Sequence, residues 1–163
     1  MPSNPAIQIV CATEQDVAVV LEMIRELAAY ERMSHMVTAT EEKIRRTLFG
    51  EHPFAEVLLA SVENEIAGLA IFYTTYSTFL AEPGLYLEDL YVKPQVRGKG
   101  VGTALLAHLA RMAVERGWSR VEWSVLHWNE SAIEFYRKIG AALLDDWKIC
   151  RLAGESLARM ASQ

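Results

Sequence analysis

The succession of elements between residues 85 and 128 constrains the fold of this chain more than any other feature. Leu85 to Val92 is rich in strand-forming residues, and apolar side chains then recur at helical spacing from about Gly100 to Arg116. Val121 to Trp128 is again typical of a strand. Two strands joined by a helical crossover lie parallel in one sheet. The sequence therefore predicts a parallel βαβ unit.

Further elements are predicted on both sides of this unit. Strands are expected at 6–12, 55–62, 66–76 and 147–152, and helices at 13–30, 40–48, 129–139 and 155–160. Glu63-Asn64-Glu65 predicts a hairpin loop, whereas Pro83-Gly84 predicts a break before the strand at Leu85. We expect an α/β fold in a single domain over residues 1–163. Its sheet should be mixed and mostly antiparallel, with a central parallel βαβ unit and helices on both faces.

Composition excludes several classes of protein. The net charge of −5 argues against a nucleic-acid surface, and no apolar run reaches the about 18 residues of a membrane span. We therefore expect no nucleic acid and no membrane among the partners, and a cytoplasmic location. Cys11 and Cys150 are predicted to be buried, reduced thiols. The four histidines share no short spacing with one another or with a cysteine, so no metal site is expected.

Alternate glycines, Gly98, Gly100 and Gly102, stand where the first strand of the βαβ unit meets its helix. Glycines at this junction leave backbone N–H groups accessible at the positive end of the helix dipole. Arg97 and Lys99 add cationic charge beside them. The pattern favours a pyrophosphate ligand, and a tight turn without a ligand is the alternative.

Two familiar nucleotide-binding loops do not fit this run. The mononucleotide pattern G-x-x-x-x-G-K-[ST] is absent from the sequence. The dinucleotide pattern G-x-G-x-x-G, started at Gly98, has Thr103 at its third glycine position. The run instead matches R-x-x-G-x-G, as Arg97-x-x-Gly100-x-Gly102.

With this motif the chain resembles the GCN5-related N-acetyltransferase (GNAT) family over nearly its full length, and it is most similar to the spermidine/spermine and thialysine acetyltransferase branch. The other stretches that carry the resemblance lie at 26–31, 50–54, 85–92 and 128–136. The resemblance implies the GNAT fold, acetyl-CoA as co-substrate and direct attack by a primary amine in a ternary complex. The amine would belong to a diamine, a polyamine or a thialysine- or lysine-like amino acid. A homodimer is also implied, with 147–152 as a possible edge strand at the contact.

Amine acetylation requires a deprotonated amine, a polarised carbonyl and a proton for the leaving thiolate. Glu88 and Asp89 are adjacent carboxylates in an apolar strand, so they should point to opposite faces and at least one should be desolvated. On the residues alone, either could instead be solvated or hydrogen-bonded for structure. The resemblance implies that Glu88 is the base, acting through water. It also makes Tyr136 the general acid, whereas a tyrosine beside Phe135 on a helix could equally be core.

The resemblance implies binding residues as well. For acetyl-CoA these are Leu90, Tyr91, Val92, Arg97, Gly98, Lys99, Gly100, Val101, Gly102, Thr103, Asn129, Ser131, Ala132 and Tyr136. For the amine they are Tyr30, Glu31, Glu88, Glu122, Trp123 and Ser124. Asn129 is also explained as a helix N-cap. Asp145 and Asp146 fall near a further acidic acceptor position, in a loop that is shorter here.

Two other functions compete with this hypothesis. A catalytically silent acetyl-CoA sensor or assembly module would keep the fold, but the presence of both Glu88 and Tyr136 speaks against it. A dinucleotide-dependent oxidoreductase is disfavoured because its glycine pattern fails.

Overall fold

The computed structural model describes residues 6–163, so the first five residues of the expected domain lie outside it. The described chain forms two compact units, one ending at Ser124 and one beginning at Val125. The first unit contains β1 (Ile7–Cys11), α1 (Val17–Tyr30), α2 (Glu41–Leu48), β2 (Glu56–Val62), β3 (Glu65–Ser77), β4 (Glu82–Val92), α3 (Val101–Glu115) and β5 (Val121–Trp123). The second contains α4 (Glu130–Lys138) and α5 (Gly154–Ala161).

The five strands form one mixed sheet in the order β1-β2-β3-β4-β5. The first three pairings are antiparallel, and β4 pairs with β5 in parallel. The predicted βαβ unit is therefore confirmed as β4-α3-β5, and β5 is the last strand in the order. The predicted hairpin is also confirmed, since Glu63 and Asn64 have the positive φ values of 51° and 66° that suit a tight turn between β2 and β3.

Helices pack on both faces of the sheet, as predicted. Val57 and Leu59 of β2 and Leu69 and Ile71 of β3 join the buried side chains of α1 and α2 in one cluster. Gly68 belongs to the other face, where a Cβ atom would lie 3.1 Å from Val101 and 3.2 Å from Leu105 of α3. Alternation along β3 thus presents one set of residues to each helical layer.

Helix boundaries follow the predicted capping residues. Asp16 accepts a hydrogen bond of 2.7 Å from the backbone N–H of Thr13, in a capping box that opens a 3-10 turn before α1. The Thr40 hydroxyl accepts from the N–H of Lys43 at 3.2 Å and begins α2. Gly117 follows α3 with φ of 72°. Short-range signals therefore fixed most helix ends.

Two predicted strand boundaries and one predicted strand are wrong. The expected break at Pro83-Gly84 does not occur, because β4 begins at Glu82 and Pro83 pairs with Tyr76. Pairing with β5 starts only at Leu85, so the proline lies near an end of the strand with one neighbour, where a missing N–H is tolerated. The strand expected at 121–128 stops at Trp123.

The strand expected at 147–152 is irregular chain. A strand needs a neighbour to satisfy its backbone groups, and no strand among residues 6–163 pairs with this segment. Trp147 and Ile149 are 78% and 75% exposed. The predicted strand therefore has no strand partner within the described chain.

The expected burial of the cysteines is also wrong. Cys11 and Cys150 are free thiols, but both are exposed. Cys11 ends β1, which is an edge strand of the sheet, and Cys150 lies in the exposed segment after α4. Among residues 6–163, no helix combines the length and the apolar character needed to cross a bilayer.

Candidate active site

A β-bulge in β4 creates the acidic part of the candidate site. Asp89 pairs with Ile71 and Leu87 pairs with Phe72, so Glu88 is an extra residue without a partner on β3. Pairing with β5 ends at Leu87, immediately before the bulge. From Glu88 to Val92, β4 is bonded to β3 on one side, and no strand of residues 6–163 pairs with its other side. This part of β4 is called its open half below, and the part from Leu85 to Leu87 its paired half.

The two adjacent carboxylates of β4 lie in different environments. Glu88 is exposed, whereas Asp89 is half-buried. Burial first, and then the negative charges of Glu88 and Glu31, together raise the pKa of Asp89 from 3.8 to about 6. The prediction that at least one of the pair is desolvated is confirmed, and Asp89 is that residue.

The C-terminal end of α1 adds a third carboxylate to this region. Glu31 is the residue that follows the last turn of α1, and burial raises its pKa above 4.5. Its charge acts on Asp89, so the helix end and the open half of β4 share one electrostatic environment. Glu31, which is predicted with Tyr30 to bind the amine, therefore acts by its charge on the strand that carries Glu88.

Tyrosines connect Glu88 to the neighbouring strands. The ring centroids of Tyr73 on β3 and Tyr86 on β4 are 5.2 Å apart. The Tyr86 hydroxyl and the Ser124 Oγ are hydrogen-bonded at 2.8 Å. Burial raises the pKa of Tyr73, and the negative charge of Glu88 and a hydrogen bond to it act in the same direction. Ser124, a predicted amine-binding residue, is thus linked to Glu88 through two tyrosines.

Glu122 and Trp123, the predicted amine-binding residues on β5, make other contacts. The carboxylate of Glu122 forms an ion pair with Arg120, with 2.9 Å between Oε2 and Nε. An amine would have to compete with this guanidinium for Glu122. Trp123 is half-buried and pairs with Leu87 in the paired half of β4. The structure therefore brings Ser124, but not the Glu122 charge, into the group around Glu88.

The glycine turn between β4 and α3 has the geometry of an anion cradle. Gly98 and Gly100 have φ values of 75° and 88°, which L side chains rarely adopt. A Cβ atom at Gly98 would meet nothing within 4 Å, so the conformation and not crowding requires glycine there. The space that a phosphate would need is therefore open.

The first turn of α3 begins directly after these glycines. The first bond of the helix runs from the N–H of Ala104 to the carbonyl of Gly100 at 2.9 Å. The N–H groups of Val101, Gly102 and Thr103 therefore have no acceptor within the helix. The Val101 side chain is 1% exposed and fixes the turn to the core. The cradle fits a pyrophosphate.

Arg97 and Lys99, the two cationic residues at the glycine turn, have different environments. Arg97 donates from Nε to the carbonyl of Val92 at 2.9 Å, and its guanidinium carbon lies 4.6 Å from the centre of the Tyr30 ring. Lys99 is exposed. The sequence placed both cations beside the cradle, but it did not predict that Arg97 contacts an α1 residue.

The remaining predicted residues lie on the second unit. The Asn129 Oδ1 accepts from the N–H of Ala132 at 3.3 Å and from the Ser131 hydroxyl at 3.2 Å, so its predicted N-cap role is confirmed. Tyr136 is half-buried on α4, and its ring centroid is 5.4 Å from that of Phe135. Asp145 and Asp146 are exposed in the irregular segment after α4.

The sequence did not point to Tyr73 or Tyr86, and it did not show which of Glu88 and Asp89 is the desolvated carboxylate. Tyr73 lies beside this region because β3 and β4 pair antiparallel across the short connection between Ser77 and Glu82, which the sequence did not predict as a hairpin. The position of the bulge decides which residue lies opposite, and the pattern of one strand does not contain that information.

Comparisons with known proteins identify the family of this chain. The model of the acetyltransferase (GNAT) family matches residues 20–141. The thialysine N-epsilon-acetyltransferase of Mus musculus is 37% identical, over 93% of this chain and 95% of that protein. The L-ornithine N5-acetyltransferase NATA1 of Arabidopsis thaliana is 31% identical, over 90% of this chain and 84% of that protein.

A solved structure agrees in fold. The integron cassette protein VCH_CASS6 from the mobile metagenome of V. cholerae superposes with a TM-score of 0.81 at 25% identity, over 96% of this chain and 98% of that one. The family match spans β4, the glycine turn, α3, β5 and α4, which are the elements that carry most of the predicted site. The chain therefore belongs to the acetyltransferase (GNAT) family, as its sequence predicted, and it is an N-acetyltransferase.

Proposed function

We propose that the protein transfers acetyl from acetyl-CoA to the terminal primary amine of a small cationic substrate, by direct attack in a ternary complex. The amine belongs to a diamine, a polyamine or a thialysine- or lysine-like amino acid. The observation that carries the proposal is the open half of β4, where Glu88, Asp89 and the charge of Glu31 meet on the strand that leads into the cradle.

The donor end of the proposed site begins at the open half of β4. Backbone groups of Leu90, Tyr91 and Val92 would hold the acetyl-bearing arm, since a strand with one free edge can bond to an extended ligand. The glycine turn and the first turn of α3, with Lys99 beside them, would hold the pyrophosphate. On the second unit, Asn129, Ser131 and Ala132 complete the proposed set of acetyl-CoA residues.

The acceptor end is suited to a cation. The negative charges of Glu88 and Glu31 act on Asp89 and raise its pKa, so a positive charge that enters among these carboxylates is stabilised. Tyr30 on α1 and Tyr73 beside Glu88 supply aromatic groups, which attract ammonium ions. Trp123 and Ser124 extend this surface, and Glu122 contributes only if the amine displaces Arg120.

Glu88 and Tyr136 carry the two proton transfers in the proposed reaction. Glu88 accepts a proton from the ammonium through water, and the neutral nitrogen attacks the thioester carbonyl carbon. The carbon–sulfur bond breaks, and Tyr136 donates its phenol proton to the thiolate. The attacking nitrogen, which is positively charged after the carbon–nitrogen bond forms, loses its second proton to water as the amide forms. The amide and free coenzyme A leave, Glu88 releases its proton to solvent, and the phenol regains one, so that one proton is released in each turnover. Asp89, with a pKa of about 6, is mostly ionised at neutral pH and holds the cation beside Glu88.

The named relatives support the class of acceptor. Thialysine and ornithine are amino acids whose side chains end in a primary amine, and these relatives are named for acetylating that amine. An acidic pocket with aromatic walls distinguishes a cationic chain end from neutral amines by charge. We therefore expect ω-amino acids of this kind to be the best acceptors, ahead of diamines and polyamines.

We also propose a homodimer. Residues 144–160 of the second unit expose six large apolar side chains: Leu144 (61%), Trp147 (78%), Ile149 (75%), Leu152 (55%), Leu157 (53%) and Met160 (57%). Apolar groups at this density in a short segment are typical of an interface. A cytoplasmic location is consistent with two exposed free thiols, which persist in a reducing compartment.

An amine panel tests the proposed function. Release of free thiol from acetyl-CoA is followed with thialysine, lysine, ornithine, short diamines, spermidine and a neutral-side-chain amino acid as the control. We expect turnover with the ω-amines and none with the control, and mass spectrometry should find the acetyl group on the terminal nitrogen. Tight binding of acetyl-CoA without turnover of any amine would contradict catalysis and would favour the sensor.

A further inference from the structure

The contact between Arg97 and Tyr30 joins two regions to which the proposed function gives different tasks. Arg97 opens the glycine turn at the donor end, whereas Tyr30 is the last residue of α1 at the acceptor end. The guanidinium carbon lies 4.6 Å from the centre of the Tyr30 ring, within the range of a cation–π interaction. The same carbon lies 5.8 Å from the centre of the Tyr91 ring.

Two further contacts restrict the Arg97 side chain. Its Nε donates to the Val92 carbonyl at 2.9 Å. Tyr91 is 5% exposed, and its pKa is raised by burial and by Glu26 on α1, while Arg97 acts in the opposite direction. Glu26 and Tyr30 are one helical turn apart, so both lie on the side of α1 that faces Tyr91 and Arg97.

This arrangement leaves part of the guanidinium available. A guanidinium has five N–H donors in one plane, and stacking on a ring uses the face of that plane. The bond to Val92 uses only the Nε donor, so donors at the edge can still reach an anion. An arginine already fixed in position loses less side-chain freedom when a phosphate binds.

We propose that Tyr30 is a positioning residue for the donor site: its ring holds Arg97 at the entrance of the glycine turn, so acetyl-CoA affinity depends on a side chain at the acceptor end of α1. This inference rests on acetyl-CoA being the donor, as the proposed function states. It gives Tyr30 a role that is independent of any contact with the amine.

The test measures acetyl-CoA binding by calorimetry with no amine present. Tyr30→Leu should weaken binding about two- to fivefold, the range expected for one cation–π contact at an exposed site. Tyr30→Phe keeps the ring and should bind like the wild type. Tyr30 is 38% exposed, so both variants should fold, and Tyr30→Gln is a second non-aromatic variant.

A double-mutant cycle with Arg97→Met distinguishes loss of the Tyr30–Arg97 contact from a general effect of Tyr30→Leu on α1. In that background Tyr30→Leu should cause no further loss of affinity. In the absence of ligand, the same cycle should show coupling of about two- to fivefold in the unfolding equilibrium constant.

The outcomes distinguish this inference from the proposed function. If the wild type binds acetyl-CoA and Tyr30→Leu binds it equally well, the inference is wrong and the proposed function stands. An equal loss in the Arg97→Met background would also overturn it. Failure of the wild type to bind acetyl-CoA would overturn both.

Discussion

The two halves of β4 use the same backbone for different purposes. In the paired half, Leu85 and Leu87 are 0% and 1% exposed and β4 has a strand on each side. In the open half, Glu88 bulges out of the ladder, Asp89 is half-buried and only β3 remains as a neighbour. One extra residue separates a stretch that builds the core from a stretch that can bind and react. We therefore expect substitutions in the two halves to affect different properties.

The largest expected effects come from substituting one residue in each half of β4. Leu87→Ala should reduce the free energy of unfolding by about 2–5 kcal/mol, since it leaves a cavity in the core. Glu88→Gln should change it by less than about 1 kcal/mol, because Glu88 is exposed, but should reduce kcat about 10²–10⁴-fold at neutral pH. Urea denaturation and thiol release measure both. Equal losses of stability in the two variants would remove the distinction between the halves.

Ionisation of Asp89 should lower the free energy of unfolding as pH rises. Its pKa is about 6 in the folded chain against an ordinary value of 3.8, so the folded state binds more protons than the unfolded state between these values. Stability from this group is therefore lost as pH rises from about 4 to about 6. Asp89→Asn should be more stable than the wild type at pH 7, by about 1–3 kcal/mol, and the difference should vanish below pH 4.

The exposed Asp146 provides the control for Asp89. Asp146→Asn should change the free energy of unfolding at pH 7 by less than about 0.5 kcal/mol, because its side chain is exposed. A stability difference between Asp89→Asn and the wild type that does not vary with pH would show that burial of the charge is not its cause.

Substitutions at two glycines test the proposed anion-binding role of the turn between β4 and α3. Gly98→Ala and Gly117→Ala place a methyl group at nearly equal φ values of 75° and 72°, and neither Cβ would meet an atom within 4 Å. Both should cost about 1 kcal/mol of stability. Only Gly98→Ala should also weaken acetyl-CoA binding, by about tenfold, because its methyl group would occupy the space of the phosphate. Calorimetry tests this, and equal affinities in the two variants would contradict the cradle.

The smallest expected effect concerns the tyrosine beside Glu88. Tyr73→Phe removes a hydroxyl that bonds to Glu88, and it should reduce kcat about three- to tenfold with little change in stability. Tyr76→Phe, on the same strand at a residue that is 61% exposed, is the control and should have no effect. If the Tyr73→Phe enzyme has an unchanged kcat and an unchanged pH profile, Tyr73 does not position Glu88.

Local patterns predicted much of this molecule. Helical spacing and capping residues gave α1, α2 and α4, and the strand–turn–helix–strand succession gave the parallel pair β4 and β5. Such signals act between residues that are close in sequence, so one chain is enough to detect them. The glycine turn was found for the same reason.

Features that depend on a neighbour were not predicted. The bulge at Glu88 is a property of the register between β3 and β4, and it decides that Asp89 rather than Glu88 is desolvated. The stretch 147–152 was predicted as a strand but has no strand beside it among the described residues. Exposure of Cys11 follows from the edge position of β1, which depends on strand order.

The most direct test of the account is the pH–rate profile of Glu88→Gln beside that of the wild type, with the best ω-amine and saturating acetyl-CoA. If the open half of β4 supplies the base, the variant depends on amine already neutral in solution. Its rate should then rise about tenfold per pH unit from pH 7 toward the amine pKa of about 10.4, while the wild-type rate levels off earlier. Two parallel profiles, differing only in height or not at all, would contradict the assignment of proton removal to Glu88.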